Sequence, residues 1–223
     1  MEIKGGYTKK ILNIDLSKGK SVVTDVDDEF ALKYIGGGGW GAKIVFDNLM
    51  KHPDLKPLGP ENIIVIAPGP LSGLYLPASD KTSFISISPL TGIYGDSNMG
   101  GLLGVELRQA GYDALVIKGK ADALSVICID YEDIKIRSVS AYADKTSSDT
   151  ERAVKEDMCD IETRVAVIGP AGENLVKFAC INTEWSRNAG HTGMGAIFGS
   201  KNLKAGTCLA NHKITRISTR FLC

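Results

Sequence analysis

The fold is decided by two glycine-rich stretches, Ser97-Asn98-Met99-Gly100-Gly101 and Arg187-Asn188-Ala189-Gly190-His191-Thr192-Gly193, which we predict to be turns at equivalent places in two halves of the chain. Apolar runs predict two strands before each turn, with a helix and a strand after it. The strands are predicted at 61–67, 83–88 and 113–117 in the first half and at 164–168, 176–181 and 203–205 in the second, where 193–199 is predicted to be the helix. This repetition indicates a duplicated anion-binding surface, although βαβ-like patterns also recur by chance.

The composition is typical of a globular chain with a substantial core. Of its 223 residues, 43% are hydrophobic, and we predict a single compact unit with a two-part core. The 26 basic and 26 acidic residues give a formal net charge of zero, so no overall field draws the chain to nucleic acid or to an anionic membrane. No apolar run could span a bilayer, and the start lacks the apolar stretch of a signal peptide, so we predict a cytoplasmic protein.

A run of four glycines separates two predicted helices. Asp28 is predicted to cap the first helix. The stretch Gly36-Gly37-Gly38-Gly39-Trp40-Gly41 formally matches the G-x-G-x-x-G dinucleotide motif, but that motif needs a strand before it, and here a helix is predicted. The alternatives are a hinge, a close backbone approach to a ligand, or a helix stop followed by a helix start.

Both glycine-rich turns have features of a phosphate site. Each follows a predicted strand and opens a predicted helix, whose first N–H groups would be free to donate to an anion. Glycine lets a ligand approach the backbone, and Arg187 in the second turn and Lys81 near the first are suitable cations. The alternative is a pair of ordinary tight turns with exposed basic residues nearby.

The cysteines argue against a metal cluster held by this chain alone. The five are widely spread and form no C-x-x-C pair: Cys128, Cys159, Cys180, Cys208 and Cys223. Cys128 and Cys180 lie inside apolar runs, and we interpret both as buried structural thiols.

Five separated motifs, in order, carry a resemblance to a known family. They are Asn62-Ile63-Ile64-Val65-Ile66-Ala67-Pro68-Gly69-Pro70-Leu71-Ser72-Gly73, Ser88-Pro89-Leu90-Thr91-Gly92, Gly111-Tyr112-Asp113-Ala114, Ile168-Gly169-Pro170-Ala171-Gly172-Glu173-Asn174 and Gly199-Ser200-Lys201-Asn202-Leu203-Lys204-Ala205. From about Tyr7 to Ala205 the chain resembles the N-terminal domain of the aldehyde ferredoxin oxidoreductases. The resemblance implies an α+β, β-rich fold of two sheets related by an internal pseudo-twofold, with short flanking helices. It also implies a tungsten, or sometimes molybdenum, ion held by the dithiolenes of two pterins, which would explain two half-sites.

The family's cofactor contacts fall on six positions of this sequence: Lys81, Asn98, Gly100, Arg187, Asn188 and Gly190. Asn98 and Asn188 match positions whose backbone carbonyls, in the family, hold a Mg²⁺ ion that bridges the pterin phosphates, a task that suits a hard cation with oxygen ligands. Lys81 stands where arginine is common in the family. Lysine keeps the positive charge but lacks the forked guanidinium that donates two parallel hydrogen bonds, so we expect weaker or less directional binding there. Asn188 replaces a small residue, which matters little for a backbone contact.

The resemblance covers only the cofactor-binding part of the family's enzymes. We predict residues 1–205 to be the bis-pterin domain and 206–223 a divergent tail. In the family, the cluster cysteines and the acid–base residues lie in the domains that follow, so no catalytic residue is assigned and a [4Fe–4S] cluster is expected only in the intact enzyme. We hypothesise a truncated, split or frameshifted product of a longer gene, and whether this chain alone is an enzyme stays open.

The leading prediction is the cofactor-binding domain of an oxidoreductase that converts aldehydes to carboxylic acids and passes electrons to ferredoxin. Ferredoxin and the C-terminal domains are the expected partners, and the uncovered apolar surface predicts a homodimer or self-association. Two alternatives stay open. One is a noncatalytic module that binds or assembles the pterin cofactor, and the other is a nucleotide-binding domain built on the four-glycine run.

Overall fold

The chain folds into two six-stranded β-sheets. The structure is a computed structural model that describes residues 3, 5–74 and 76–209. The first sheet contains β1 (Lys10–Asp15), β2 (Lys20–Asp25), β3 (Ile64–Pro68), β4 (Thr82–Ile87), β5 (Tyr94–Met99) and β6 (Ala114–Lys118), in the order β2-β1-β6-β3-β4-β5. The second contains β7 (Ser125–Asp130), β8 (Asp133–Ser138), β9 (Arg164–Val167), β10 (Ile181–Thr183), β11 (Arg187–Ala189) and β12 (Leu203–Leu209), in the order β8-β7-β12-β9-β10-β11.

The two sheets have the same topology. The first strand of each half pairs in parallel with its last strand, β1 with β6 and β7 with β12. Every other neighbouring pair is antiparallel. β5 and β11 therefore lie at equivalent edges of their sheets. The α+β fold of two sheets is confirmed, and the matching strand order is what an internal pseudo-twofold predicts.

In the part of the chain that the structure describes, six α-helices accompany the sheets: α1 (Asp28–Tyr34), α2 (Gly38–Lys51), α3 (Leu103–Gln109), α4 (Ser147–Asp157), α5 (Pro170–Glu173) and α6 (Met194–Ser200). α3 follows β5 and α6 follows β11, so these two helices are also equivalent. Within the described residues, no helix has the length and apolar character needed to cross a membrane.

The core has three layers, because each strand presents alternate residues to opposite faces. Ile64 and Ile66 of β3 face the central layer, where the two sheets meet around α3 and α6. Val65 and Ala67 face the other side, where α1 and α2 cover the first sheet. A third layer packs α4 on the outer face of the second sheet. The central layer holds both halves together and positions the edges of β5 and β11.

The start of β10 and the cap of α1 differ from the sequence prediction, and hydrogen bonds explain both differences. The strand predicted at 176–181 begins only at Ile181. The carbonyl oxygen of Ala179 accepts from the N–H of Gly195 at the start of α6, so it serves a helix rather than a strand pair. At α1, Asp27 is the cap, because its carboxylate accepts from the N–H of Phe30 at 2.7 Å.

The last described strand extends past the predicted domain boundary at residue 205. β12 runs through Leu209 and pairs with both β7 and β9. Residues 210–223, most of the predicted divergent tail, lie outside the described residues.

Candidate functional site

The two predicted turns lie side by side across the contact between the sheets, which we call the seam. The buried hydroxyl of Ser97 in β5 donates to the carbonyl oxygen of Gly190, 2.5 Å away, and lies 2.6 Å from the hydroxyl of Thr192. The hydroxyl of Ser88 donates to the carbonyl oxygen of Thr192 at 2.8 Å. These bonds fix the end of β5 against the turn that follows β11.

Only the second part of each predicted turn is a turn. Ser97 to Met99 are the last residues of β5, and the chain leaves the strand at Gly100. In the same way, Arg187–Ala189 forms β11, and the turn follows it. Both stretches pair with a neighbouring strand, a contact that the glycine content of the sequence does not reveal.

Two cations converge on Gly100. A β-carbon built on this glycine would lie 3.3 Å from Nη1 of Arg187 and 3.9 Å from Nζ of Lys81. Both side chains are exposed, and Gly100 itself is half-buried. Arg187 belongs to the second half of the chain and Lys81 to the first, so the seam brings them together. Two cations above a backbone without a side chain suit a phosphate group, which accepts charge-assisted hydrogen bonds.

Asn98 and Asn188 occupy equivalent places on the two edge strands. Asn98 stands opposite Ser83, whose hydroxyl donates to the Asn98 amide oxygen at 2.7 Å. Asn188 stands opposite Asn182, whose amide nitrogen donates to the Asn188 amide oxygen. Both amide oxygens are thus engaged within the protein. The Mg²⁺ contact through the backbone carbonyls of Asn98 and Asn188 stays a prediction.

Gly190, the sixth predicted site residue, follows β11. A β-carbon built on it would meet the Sγ atom of Cys180 at 3.6 Å. Cys180 is half-buried, so it is not the fully buried thiol that the sequence predicted. The hydrogen bond from Ser97 therefore brings Gly190 next to the half of the site that contains Gly100. The Cys180 thiol lies beside Gly190.

Glu184 is a site residue that sequence reasoning missed. One of its carboxylate oxygens accepts from the N–H of Leu102 at 2.5 Å, and the other lies 3.5 Å from Nε of Arg187. The sequence predicted that the N–H groups at the start of α3 would be free to bind an anion. This prediction is wrong for Leu102, because its N–H already donates a hydrogen bond to the Glu184 carboxylate. The sequence did show an acidic residue three positions before Arg187. Its second partner, the N–H of Leu102, lies across the seam and could not be read from the sequence.

The four-glycine run does not have the geometry of a dinucleotide site. Helix α1, rather than a strand, precedes it, and α2 begins within it at Gly38. A β-carbon on Gly38 would lie 3.1 Å from a carboxylate oxygen of Asp96. Burial raises the pKa of Asp96, and hydrogen bonds from Asn98 and Tyr94 partly oppose this shift. A carboxyl group at this helix start disfavours a phosphate, and the run acts as a helix stop followed by a helix start.

Side-chain ligands for a metal ion do not cluster in the part of the chain that the structure describes. There, no group of three or more His, Cys, Asp or Glu side chains could hold a metal ion.

Comparisons with known proteins agree on one family. The model of the aldehyde ferredoxin oxidoreductase N-terminal domain matches residues 11–208. The tungsten-containing aldehyde ferredoxin oxidoreductase of Pyrococcus horikoshii is 40% identical over 215 residues, covering 96% of this chain and 35% of that protein. The enzyme of the same name from Pyrococcus furiosus is 41% identical over 200 residues, covering 90% of this chain and 33% of that protein. The chain thus spans about a third of the length of these relatives.

A solved structure supports the fold independently. The active-site complex BamBC of benzoyl coenzyme A reductase, bound to 1,5-dienoyl-CoA, superposes with a TM-score of 0.90 at 32% identity. The match covers 94% of this chain and 32% of that one.

Proposed function

Because the chain belongs to the aldehyde ferredoxin oxidoreductase family and matches its N-terminal domain, we propose that it binds a bis-pterin tungsten cofactor at the seam. The proposed contacts are Lys81, Asn98, Gly100, Arg187, Asn188 and Gly190. The convergence of Lys81 and Arg187 on Gly100 carries this assignment. Like charges repel, so an anion between the two side chains would stabilise this arrangement, and the Glu184 carboxylate contacts Arg187 at Nε and leaves Nη1 facing Gly100.

The residues present fit the phosphate end of such a cofactor. The Arg187 guanidinium can donate two parallel hydrogen bonds, and the Lys81 ammonium contributes a point charge. Gly100 keeps the backbone open, because a β-carbon there would fall within 3.3 Å of Arg187. We further propose that the backbone carbonyls of Asn98 and Asn188 hold a Mg²⁺ ion beside the phosphates, since hard cations prefer oxygen ligands.

The activity proposed for the whole protein is the oxidation of an aldehyde to a carboxylic acid in the cytoplasm, with ferredoxin as the electron acceptor. The metal, tungsten or molybdenum, would supply the redox chemistry, and this domain would supply binding, orientation and charge compensation. The chain covers 35% of the Pyrococcus horikoshii relative. We therefore propose that a [4Fe–4S] cluster and the acid–base residues belong to further domains, and that this chain alone binds the cofactor without turnover.

Cofactor content after anaerobic purification tests the proposal. The chain is produced in a host that makes the pterin cofactor, and tungsten, molybdenum and released pterin are measured. We expect one metal and two pterins per chain, and loss of both from a variant with Lys81→Gln and Arg187→Gln. The matched control is Lys18→Gln with Arg152→Gln, whose side chains are 72% and 60% exposed and lie elsewhere.

Two results would contradict the proposal. One is an unsubstituted chain that carries neither metal nor pterin, and the other is equal retention of cofactor by the site variant and its control. Aldehyde-dependent viologen reduction by the isolated chain would overturn the statement that it does not turn over. A noncatalytic module makes the same prediction for cofactor binding, so activity after adding the remaining domains separates it from an enzyme domain.

A further inference from the structure

The turn between β10 and β11, residues 184–186, has a strained backbone. Glu184 and Trp185 follow each other with φ values of 46° and 66°, in the left-handed region that favours glycine. Trp185 is bulky, which makes a left-handed backbone especially unfavourable for it. Strain of this kind persists only where the surrounding structure holds it, and it concentrates at functional sites. The contacts that hold this turn therefore indicate what its shape is for.

The side chain of Glu184 holds the turn on the side of the seam. Its carboxylate accepts from the N–H of Leu102 at 2.5 Å and lies 3.5 Å from Nε of Arg187. A β-carbon on Gly101 would lie 2.8 Å from either oxygen of this carboxylate and 2.9 Å from Cδ of Arg187. The direction of Glu184 thus determines how the turn meets the start of α3 and how Arg187 is supported.

Glu151 of α4 holds the turn from the outer face of the second sheet. One oxygen of its carboxylate accepts from the N–H of Trp185 at 3.1 Å, directly after Glu184. The other lies 3.0 Å from Nζ of Lys155, and the Glu151 side chain is only 2% exposed. A buried carboxylate is costly unless it is paired and hydrogen-bonded, so both contacts restrict where it can lie.

Lys155 adds a second contact between α4 and the turn. Its Nζ atom lies 5.7 Å from the centre of the Trp185 ring, within the range in which an ammonium group is attracted to an indole. Val154, the neighbouring residue of α4, is buried in the core layer on the outer face of the second sheet. The backbone and the ring of Trp185 are therefore both held by one turn of a helix that is itself fixed to the sheet.

We infer that Glu151 is a positioning residue that acts through the turn between β10 and β11. The hydrogen bond that it accepts from the N–H of Trp185 holds the turn in its left-handed conformation. That conformation sets the directions of Glu184 and Arg187, and thereby the approach of Arg187 to Gly100. The inference rests on the proposed function in one respect, namely that the group that Arg187 meets above Gly100 is the cofactor.

Hydrogen exchange of the Leu102 amide, detected by NMR, tests the coupling, because Glu184, the acceptor of this amide, is unchanged in a Glu151 variant. Glu151→Ala should speed exchange at Leu102 roughly fivefold, as expected for a weakened hydrogen bond. The N–H of Ile168 donates to the carbonyl oxygen of Lys204 in the core and should keep its rate. Glu156→Ala is the matched control, since it removes an exposed carboxylate from the same helix and should change neither amide.

Further variants separate the hydrogen bond from the buried charge. Glu151→Ala leaves Lys155 without its partner, whereas Glu151→Met with Lys155→Met removes both charges together and should still speed exchange at Leu102. Glu151→Gln keeps an acceptor and should preserve most of the protection. Trp185→Gly relieves the left-handed strain, so adding it to Glu151→Ala should return exchange at Leu102 toward the unsubstituted rate.

Three results would overturn the inference. One is unchanged exchange at Leu102 in both Glu151→Ala and the double methionine variant. Another is equal acceleration at Leu102 and Ile168, because Glu151 would then support the whole fold rather than the turn. The third is a failure of Trp185→Gly to restore the protection, because strain in the turn would then not be what Glu151 opposes.

Exchange is measured on the chain without cofactor, so the outcome is separable from that of the proposed function. If Leu102 responds as expected but the unsubstituted chain retains no metal or pterin, the proposed function fails and the role of Glu151 in the turn remains. If metal and pterin are retained, Glu151→Met with Lys155→Met should lose them faster than Glu156→Ala. Equal retention together with unchanged exchange at Leu102 would refute the role of Glu151 and leave the proposed function intact.

Discussion

The ammonium group of Lys201 donates to the carbonyl oxygen of Gly119, 3.2 Å away, and so ties the end of α6 in the second half to the end of β6 in the first. It also donates to the carbonyl oxygen of Asn62, just before β3. Lys201 is fully buried. Burial lowers its pKa to about 8, and the nearby carboxylates of Glu61 and Asp15 act in the opposite direction.

This shift predicts a pH-dependent stability. The folded pKa is depressed, so between about pH 8 and the ordinary value of 10.5 the unfolded chain binds more protons than the folded one. The free energy of unfolding should therefore rise with pH across this window, by about 3 kcal/mol. Urea unfolding of the unsubstituted chain and of Lys201→Met at several pH values isolates the effect, which should be absent from the variant. Parallel pH profiles for the two proteins would contradict it.

The buried pair of Lys204 and Glu173 predicts a strong coupling. The Lys204 ammonium is inaccessible, contacts the Glu173 carboxylate and donates to the carbonyl oxygen of Lys145 at 2.8 Å. Lys204→Met or Glu173→Met alone leaves an uncompensated buried charge and should cost about 3–5 kcal/mol of unfolding free energy. The double substitution should cost less than the sum of the two.

An exposed pair provides the control for this cycle. Lys135 and Asp133 contact each other at 2.5 Å, with side chains 61% and 58% exposed. Removing this pair should leave the free energy of unfolding almost unchanged, because water screens it. Additive losses for Lys204 and Glu173 would show that they do not act as a pair.

The sequence predicted the fold better than it predicted the site. Strands β3, β4, β6 and β9 follow from apolar runs, because local alternation and propensity decide them. Lys201 and Lys204 were part of a family motif, yet nothing local indicates that both would be buried. Their acceptors lie in Gly119, Asn62 and Lys145, which are distant in sequence.

The site depends on the seam, which no local pattern contains. Lys81 and Arg187 were assigned to separate half-sites, but both converge on Gly100. Glu184 was not singled out, since its partner Leu102 is 82 positions away. Residue types were therefore predictable, whereas their grouping required the packing of one sheet edge on the other.

Close packing of two backbones makes Gly199 irreplaceable. A β-carbon there would lie 1.9 Å from the carbonyl oxygen of Gly172, at the contact between α5 and α6. Gly199→Ala should lower the free energy of unfolding by about 3 kcal/mol, because backbone atoms cannot move aside as a side chain can. Gly69→Ala is the control, since a β-carbon on Gly69 meets nothing within 4 Å. Equal urea midpoints for the two variants would refute the clash.

Glu184 should protect one backbone amide from exchange. The Leu102 N–H donates to its carboxylate, so Glu184→Ala should speed hydrogen exchange at Leu102 roughly tenfold. Glu184→Gln keeps an acceptor and should preserve most of the protection. The N–H of Glu106 donates to the carbonyl oxygen of Leu102 within α3 and should be unaffected in both variants. NMR-detected exchange measures both amides in the unsubstituted chain and in the two variants. Unchanged exchange at Leu102 in Glu184→Ala would rule out the hydrogen bond from Leu102 to Glu184.

Apolar side chains near the end of α1 predict that the isolated chain self-associates. Ile35, Leu71 and Leu76 are 61%, 54% and 52% exposed. The loop that carries the two leucines lies beside α1, because a β-carbon on Gly36 would be 3.0 Å from Cδ of Pro70. Burying a leucine side chain contributes about 1.5–3 kcal/mol, so a patch of this kind favours association.

Light scattering over a concentration series tests this self-association. Leu71→Ser with Leu76→Ser should weaken it at least about tenfold, given the burial energy of two leucines. Val22→Ser, at a site 62% exposed on the edge strand β2, removes apolar surface elsewhere and should leave the association constant unchanged. If Val22→Ser disrupts association and the leucine variant does not, the contact runs through the β2 edge instead. A monomeric unsubstituted chain at every concentration would mean that these exposed leucines do not drive association.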